Sequence, residues 1–345
     1  MTYAHLIGSL FLDTHILAII LYLYKVDKIT MRRFTLLTFM VLFTCLMACD
    51  GENNDPDPIQ DQPLGEFIDE NTYRVFPTNQ DNFGVAEFRL WVPESTEKVR
   101  AVLVLLGSYN YNGLGLAKTF QWQAFGDLEN IAIVGVNFKT ISDVAGYYPE
   151  AHLGSGQALL NALAKLAERN GNDYLKDLPL LLRGYSAGGV FSYSFSDFKH
   201  ERVLAFANIR GGSLNFTRDI NSGIPGLMIY GENDAPQRNS RIISTVEEKR
   251  NEGGNWSLLK EPGVDHFGEL TKPDSFIRMF FQKVLASRLT DGSNELNDLA
   301  ESDGWLGDPS TLEIYPYDEF IGDKTKASWL IDEEYAKSWK AFQQD

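Results

Sequence analysis

From residue 73 onward, short continuous apolar runs alternate with longer amphipathic stretches. The apolar runs predict strands over 73–76, 86–92, 101–106, 131–138, 179–183, 203–209, 226–230 and 256–260. The amphipathic stretches predict helices over 116–129, 156–170, 187–198, 238–252 and 272–288. Strands that are apolar throughout and separated by helices belong in a parallel sheet covered on both faces. The first two strands alternate more and follow each other without a helix, as an antiparallel edge does. Pro179 is tolerated because it opens its strand. No internal repeat interrupts the pattern.

One junction in this series carries chemistry. Gly184-Tyr185-Ser186-Ala187-Gly188 stands directly behind the short run Pro179-Leu180-Leu181-Leu182-Arg183 and opens the next helix. G-x-S-x-G between a strand and a helix reads as a nucleophile elbow, a sharp turn that lifts the serine hydroxyl clear of the sheet. The glycines are needed where a side chain would collide with the strand or helix pressed against the turn.

A serine hydroxyl is a poor nucleophile at neutral pH, so a base must take its proton and a third group must orient that base. Three histidines lie in this part of the chain: His152, His200 and His266. His200 sits in a charged, solvated linker, and His152 precedes the serine as a cap or pocket residue. His266 follows the last predicted strand, where a base reaches over the carboxyl edge of the sheet. The orienting acid is expected at the preceding strand end, Gly231-Glu232-Asn233-Asp234, with Asp234 first and Glu232 second. Asp265 is read as a loop-forming residue.

Ser186, Asp234 and His266, in that order and each on a loop beyond a strand, resemble the catalytic triad of the α/β-hydrolase family. The resemblance covers residues 73–290 and implies an α/β-hydrolase fold, with a mostly parallel central sheet between helices. Within the family, the chain resembles the polyhydroxybutyrate depolymerase and feruloyl esterase-like branch. It implies acyl transfer by a serine esterase: His266 deprotonates Ser186, Asp234 holds the imidazole, and water hydrolyses the acyl-enzyme. It implies no metal and no organic cofactor. The oxyanion hole is expected at the N–H of Ala187 and, in the loop Gly107-Ser108-Tyr109-Asn110, at Ser108, with Tyr109 as second choice. Many relatives have His-Gly at that bend, whereas here Leu106 precedes Gly107. A neutral imidazole is required, so activity should rise through about pH 6.5 to 7.

The first fifty residues have another character. Arg32-Arg33 precedes an uncharged apolar segment ending in Leu46-Met47-Ala48-Cys49. A basic start, an apolar middle and small residues at the end make a secretory signal over 31–49. Its last four residues resemble the lipobox of bacterial lipoproteins, which implies lipidation of Cys49 and a membrane-anchored protein of the cell envelope. Met31 offers a start for that signal, and residues 1–30 are read as an upstream extension. Residues 50–72 hold eight acidic residues and no basic one, and are expected to form a disordered tether. Both cysteines, Cys45 and Cys49, lie in the signal, so no disulfide or thiolate site is expected beyond it.

Charge narrows the partners. The formal net charge is −16, but residues 50–72 and 291–323 together carry 18 acidic groups without a Lys or Arg. The remainder is therefore close to neutral, with no basic stripe for nucleic acid. The expected partners are an ester substrate, small or polymeric, and a membrane reached through Cys49. Acylated polysaccharides are attractive substrates, and Tyr109, Tyr111, Trp122, Tyr147 and Tyr148 are candidates for holding a sugar or phenolic ring. The C-terminal extension, 291–345, contains Trp305, Trp329 and Trp339, and its aromatics predict packing on the main domain. Tyr335, Trp339 and Phe342 recur at helical spacing behind Asp332, a candidate N-cap. Two other readings stand beside the esterase: a serine peptidase of the prolyl-oligopeptidase-like branch, and a non-catalytic glycan-binding lipoprotein.

Overall fold

The structure, a computed structural model, describes residues 64–94, 98–141, 147–214, 223–290 and 295–344. The extension 1–30, the signal 31–49 with Cys49, and the first part of the tether lie outside the described residues.

Nine strands form one sheet: β1 Gly65–Asp69, β2 Thr72–Val75, β3 Val85–Trp91, β4 Val102–Leu106, β5 Ala132–Lys139, β6 Leu180–Tyr185, β7 Val203–Ile209, β8 Gly226–Gly231 and β9 Trp256–Glu261. Their order across the sheet is β1-β2-β3-β5-β4-β6-β7-β8-β9. The three pairings from β1 to β5 are antiparallel, and every pairing from β5 to β9 is parallel. The helices are α1 Phe120–Glu129, α2 Ser155–Arg169, α3 Ala187–Phe198, α4 Pro236–Asn251 and α5 Thr271–Arg288. Alternate residues of β4 show how the sheet is covered. Val102, Val104 and Leu106 join one core with α2, α3 and α4, while Leu103 and Leu105 join another with α1 and α5. This is the mostly parallel, helix-covered sheet expected from the apolar pattern, in the α/β-hydrolase arrangement that the resemblance implies. The loops at the carboxyl ends of β4, β6, β8 and β9 gather on one edge of the sheet.

Two boundaries differ from expectation. The sheet begins at Gly65, so the tether does not extend to residue 72. Phe67 packs edge-on against Tyr73 at 4.9 Å, with the Arg169 guanidinium over its ring at 4.3 Å. Acidic Glu66 and Asp69, which read as disordering, are paired with Arg74 and Arg89 across the sheet. The helix expected over 116–129 is divided at Thr119, whose extended backbone (φ −75°, ψ 136°) separates a 3-10 segment, Gly113–Lys118, from α1.

The C-terminal extension folds onto the sheet edge. It contributes a small antiparallel sheet, β10 Trp305–Gly307, β11 Ile314–Pro316 and β12 Ser328–Leu330, then helix α6 Glu333–Phe342. Asp332 caps α6 by accepting the Tyr335 N–H at 2.8 Å. An edge strand leaves N–H and C=O groups open to other chains. Here side chains of the extension occupy those groups on β9. Ser328 Oγ accepts the Leu258 N–H at 3.0 Å, Trp339 Nε1 donates to the Leu258 carbonyl at 2.7 Å, and Gln343 Oε1 accepts the Lys260 N–H at 3.1 Å. Tyr335 and Phe342 meanwhile cover Phe276 of α5 at ring distances of 5.0 and 5.3 Å.

Trp339 is fully buried, so Trp339→Ala should cost about 3–5 kcal/mol, read as a lower denaturant midpoint. Removing residues 291–345 should yield a soluble fraction that aggregates on warming, seen by light scattering, because both the β9 edge and the α5 face become open.

Candidate active site

Ser186 is the residue between β6 and α3. Its backbone lies at φ 54°, ψ −116°, a conformation that L-residues with side chains rarely adopt. Such a geometry costs about 1–3 kcal/mol and persists only where the surroundings impose it. The surroundings here are backbone. A Cβ on Gly184 would stand 1.9 Å from the Gly188 carbonyl oxygen, and one on Gly188 would stand 2.4 Å from the Gly107 carbonyl oxygen. The strand, the helix and the neighbouring loop are therefore in contact at the turn. The Ser186 N–H donates to the Ile209 carbonyl at 2.8 Å, which ties the elbow to β7.

The turn points the serine at the loop after β9. Ser186 Oγ and His266 Nε2 are 3.0 Å apart, and His266 Nδ1 is 2.9 Å from Asp234 Oδ2. Asp234 follows β8 and its side chain is 2 % exposed, against 15 % for His266. Its second oxygen, Oδ1, accepts the Ala235 N–H at 2.6 Å and pairs with Arg238 one helical turn along α4. Both carboxylate oxygens are thus engaged, which fixes the plane in which Oδ2 meets the imidazole. With Asp234 accepting from Nδ1–H, Nε2 carries the lone pair toward Ser186.

Ala187 directly follows Ser186, and Ser108 directly follows Gly107 in the loop after β4. Ala187 is the first residue of α3, where the helix supplies no acceptor for its N–H. The loop after β4 is braced on the same helix, since the Gly188 N–H donates to the Gly107 carbonyl at 3.1 Å. The Ser108 carbonyl is turned away and accepts the Tyr111 N–H at 3.0 Å and the Tyr148 hydroxyl at 3.3 Å. Among the described residues, no acceptor takes the Ser108 N–H.

The remaining candidates sort by contact. Glu232 accepts the Gly263 N–H at 2.9 Å and pairs with Lys260 at 3.3 Å, so it holds the base of the histidine loop and not the imidazole. Those bonds, the Gly263 N–H first, keep its carboxyl below the usual glutamate range. Asp265 accepts the Phe267 N–H at 2.8 Å, a loop contact. His152 bonds Asp197 at 2.6 Å, and His200 is exposed beside Glu201. Of the five aromatics, Trp122 is buried against Phe125, and Tyr148 is buried between Phe138 and Tyr109. Tyr109 and Tyr111 remain substantially exposed beside the Ser108 loop. A groove of about 410 Å³ is lined by Leu116, Trp122, Tyr185, Phe267 and Leu270 together with the charged Arg183, Glu269, Asp274 and Arg278, and includes neither Ser186 nor His266. Among the described residues, no group of three or more His, Cys, Asp or Glu is gathered as a metal site would require.

Sequence reasoning did not single out Arg238, Tyr185 or Arg210. Tyr185 donates its hydroxyl to the His266 carbonyl at 2.7 Å, and Arg210 donates to the same oxygen at 3.2 Å. One signal was present: Arg210 directly follows β7, a buried run that is apolar except for Asn208, an expensive place for a charge that has no partner.

No protein-family model and no curated protein matches the chain. Solved structures do match it. A poly(3-hydroxybutyrate) depolymerase, LpqC, from Bordetella parapertussis is similar with a TM-score of 0.47 and 15 % identity, over 64 % of this chain and 91 % of that one. Esterase PE8 gives 0.45 and 18 %, over 57 % and 97 %. XC6422 from Xanthomonas campestris, a serine hydrolase without a lid, gives 0.39 and 18 %, over 64 % and 96 %. At these values the likeness concerns the fold, and nothing about reaction or substrate follows from it.

The crowding at the elbow is directly testable. Gly184→Ala should force the turn open, lower the thermal midpoint and abolish reaction of Ser186 with a fluorophosphonate, read together by calorimetry and probe labelling. A variant that labels at the wild-type rate would contradict the contact distances.

Proposed function

We propose that this protein is a serine hydrolase that cleaves carboxylic esters through an acyl-enzyme, with Ser186 as nucleophile, His266 as general base and then acid, and Asp234 as its orienting carboxylate. The observation that carries the reading is the continuous chain Ser186 Oγ, His266 Nε2, His266 Nδ1, Asp234 Oδ2, with contacts of 3.0 and 2.9 Å. Each contact lies within the reach a proton transfer needs.

In the first half-reaction Nε2 takes the Ser186 proton as Oγ attacks the ester carbonyl. The oxygen that becomes negative is stabilised by the N–H groups of Ala187 and Ser108, the first aided by the positive end of α3. The imidazolium then protonates the departing alcohol. Water attacks the acyl-enzyme with the same histidine as base, restoring the serine. Arg238 and the Ala235 N–H hold the Asp234 carboxylate while it faces the charged ring.

The esterase reading is favoured over the glycan-binding one because a strained serine in contact with an oriented imidazole has no use in adhesion. Against a peptidase, the exposed Tyr109 and Tyr111 suit an acyl or aryl group better than a peptide chain that needs backbone partners. Acylated polysaccharide remains our proposed substrate class. Cys49 is proposed as the lipid attachment point that holds the enzyme at the cell envelope.

Wild type should hydrolyse p-nitrophenyl acetate or butyrate and methyl ferulate faster than a proline peptide substrate, and Ser186→Ala should lose at least about 10³-fold in kcat. Equal rates for wild type and Ser186→Ala would refute the nucleophile. Asp234→Asn should cost about 10⁴-fold in kcat with KM little changed. Cys49→Ser should release the protein from membranes and remove the lipid mass; unaltered mass and partitioning would refute the anchor.

A further inference from the structure

Resting on the hydrolase reading, we infer that Arg210 and Tyr185 form a two-donor clamp on the His266 carbonyl, and that this clamp sets the catalytic rate by fixing the imidazole over Ser186. His266 is on a loop, not on a strand or helix, so its reach to Ser186 depends on what holds its backbone. The loop's entry is held at Gly263 by Glu232, and at Val264 by the Asn233 N–H at 2.9 Å. Neither contact constrains the backbone at residue 266.

Arg210 does so from beneath. It is fully buried at the end of β7, with φ 55°, a left-handed turn that brings its side chain under the loop. Nη1 donates to the carbonyls of His266 at 3.2 Å and Gly268 at 2.7 Å, and Nη2 reaches Glu269 at 3.4 Å. The loop passes close over the guanidinium: a Cβ on Gly268 would stand 3.3 Å from Nη2. Tyr185, the residue before the nucleophile, adds its hydroxyl to the same His266 oxygen at 2.7 Å, and its ring lies 5.6 Å from the imidazole. Nucleophile and base are therefore linked twice, once through Ser186 Oγ and once through the side chain of its neighbour.

The cost of burying Arg210 is met by Glu261, the last residue of β9, which accepts from Nε at 2.7 Å and is itself almost fully buried. Burial pushes the Glu261 carboxyl up, and the adjacent guanidinium pulls it back. If stability alone were at stake, an apolar pair would fill this place as well. A guanidinium instead offers five donors in a fixed fork, enough to bind Glu261 and grip the loop carbonyls at 266, 268 and 269. Arg210 and Tyr185 are positioning residues; neither touches the reacting atoms.

The test compares Tyr185→Phe, Arg210→Lys, and the double variant Arg210→Met with Glu261→Gln, which leaves no buried charge unpaired. kcat and KM for p-nitrophenyl butyrate are measured well below each variant's melting midpoint. The double variant should lose about 100-fold in kcat, the effect of a misplacement near 1 Å, with KM within about threefold. Tyr185→Phe should lose about fivefold in kcat, the loss of one hydrogen bond, with its melting midpoint unchanged. Arg210→Lys should recover part of the rate lost by the double variant. A folded double variant with kcat within threefold of wild type would overturn the clamp. Should it fail to fold, an unchanged kcat in Tyr185→Phe does so. Wild type that turns over no ester would instead sink the hydrolase reading and leave the clamp's distances untouched.

Discussion

A loop-borne imidazole held 3.0 Å from a serine hydroxyl is the contact on which the rest of the molecule converges. Neither partner is placed by its own local preference. Ser186 sits in a backbone conformation that its side chain disfavours, and His266 sits between glycines at 263 and 268. What places them is the parallel sheet. Strands β6, β8 and β9 end on the same edge, so residues 80 positions apart in sequence meet at hydrogen-bond distance. The elbow stays strained because three pieces of backbone press on it at Gly184, Gly188 and Gly107. The energy of the packed sheet sustains the strain, and the exposed hydroxyl is the product.

Buried arginines recur wherever this sheet edge or the C-terminal extension must be fastened. Arg183 bonds Asp274 and donates to the Leu106 carbonyl at 3.2 Å, holding the end of β4 that leads into the Ser108 loop. Arg210 grips the histidine loop. Arg250 donates to the carbonyls of Ala327 at 2.7 Å and Lys324 at 2.9 Å and pairs with Glu301, fastening the C-terminal extension. Arg288, its charge disfavoured by burial and its ionisation brought down to about 10, donates to Val203, Leu204 and Asn297. In each case a guanidinium satisfies carbonyls that helix or strand geometry leaves over.

Much of this was legible from patterning. Parallel-sheet strands are apolar on both faces, so β4 through β9 stand out as runs, and the G-x-S-x-G turn marks where the nucleophile must lie. The carboxyl-edge rule then directed attention to Asp234 and His266. What escaped was whatever depends on partners far along the chain. Glu66 and Asp69 look disordering until Arg74 and Arg89 are placed across the sheet. Strands β10 to β12 are three residues each, too short for a period to emerge. Arg210 at the end of a buried strand flags an unexplained charge, but its partner loop is far along the chain and its role is not visible until that loop is placed. Trp122 reads as a candidate for holding a substrate ring, yet it belongs to the core because α1 turns it inward.

The central claim is that Ser186 becomes covalently acylated through His266. Rapid quench of the protein with a slowly deacylated aryl ester, followed by intact and peptide mass spectrometry, observes that bond itself. The account predicts one acyl group per chain, on the peptide containing Ser186, with accumulation suppressed in His266→Ala. An unmodified chain during turnover, or an acyl group on another residue, would contradict it.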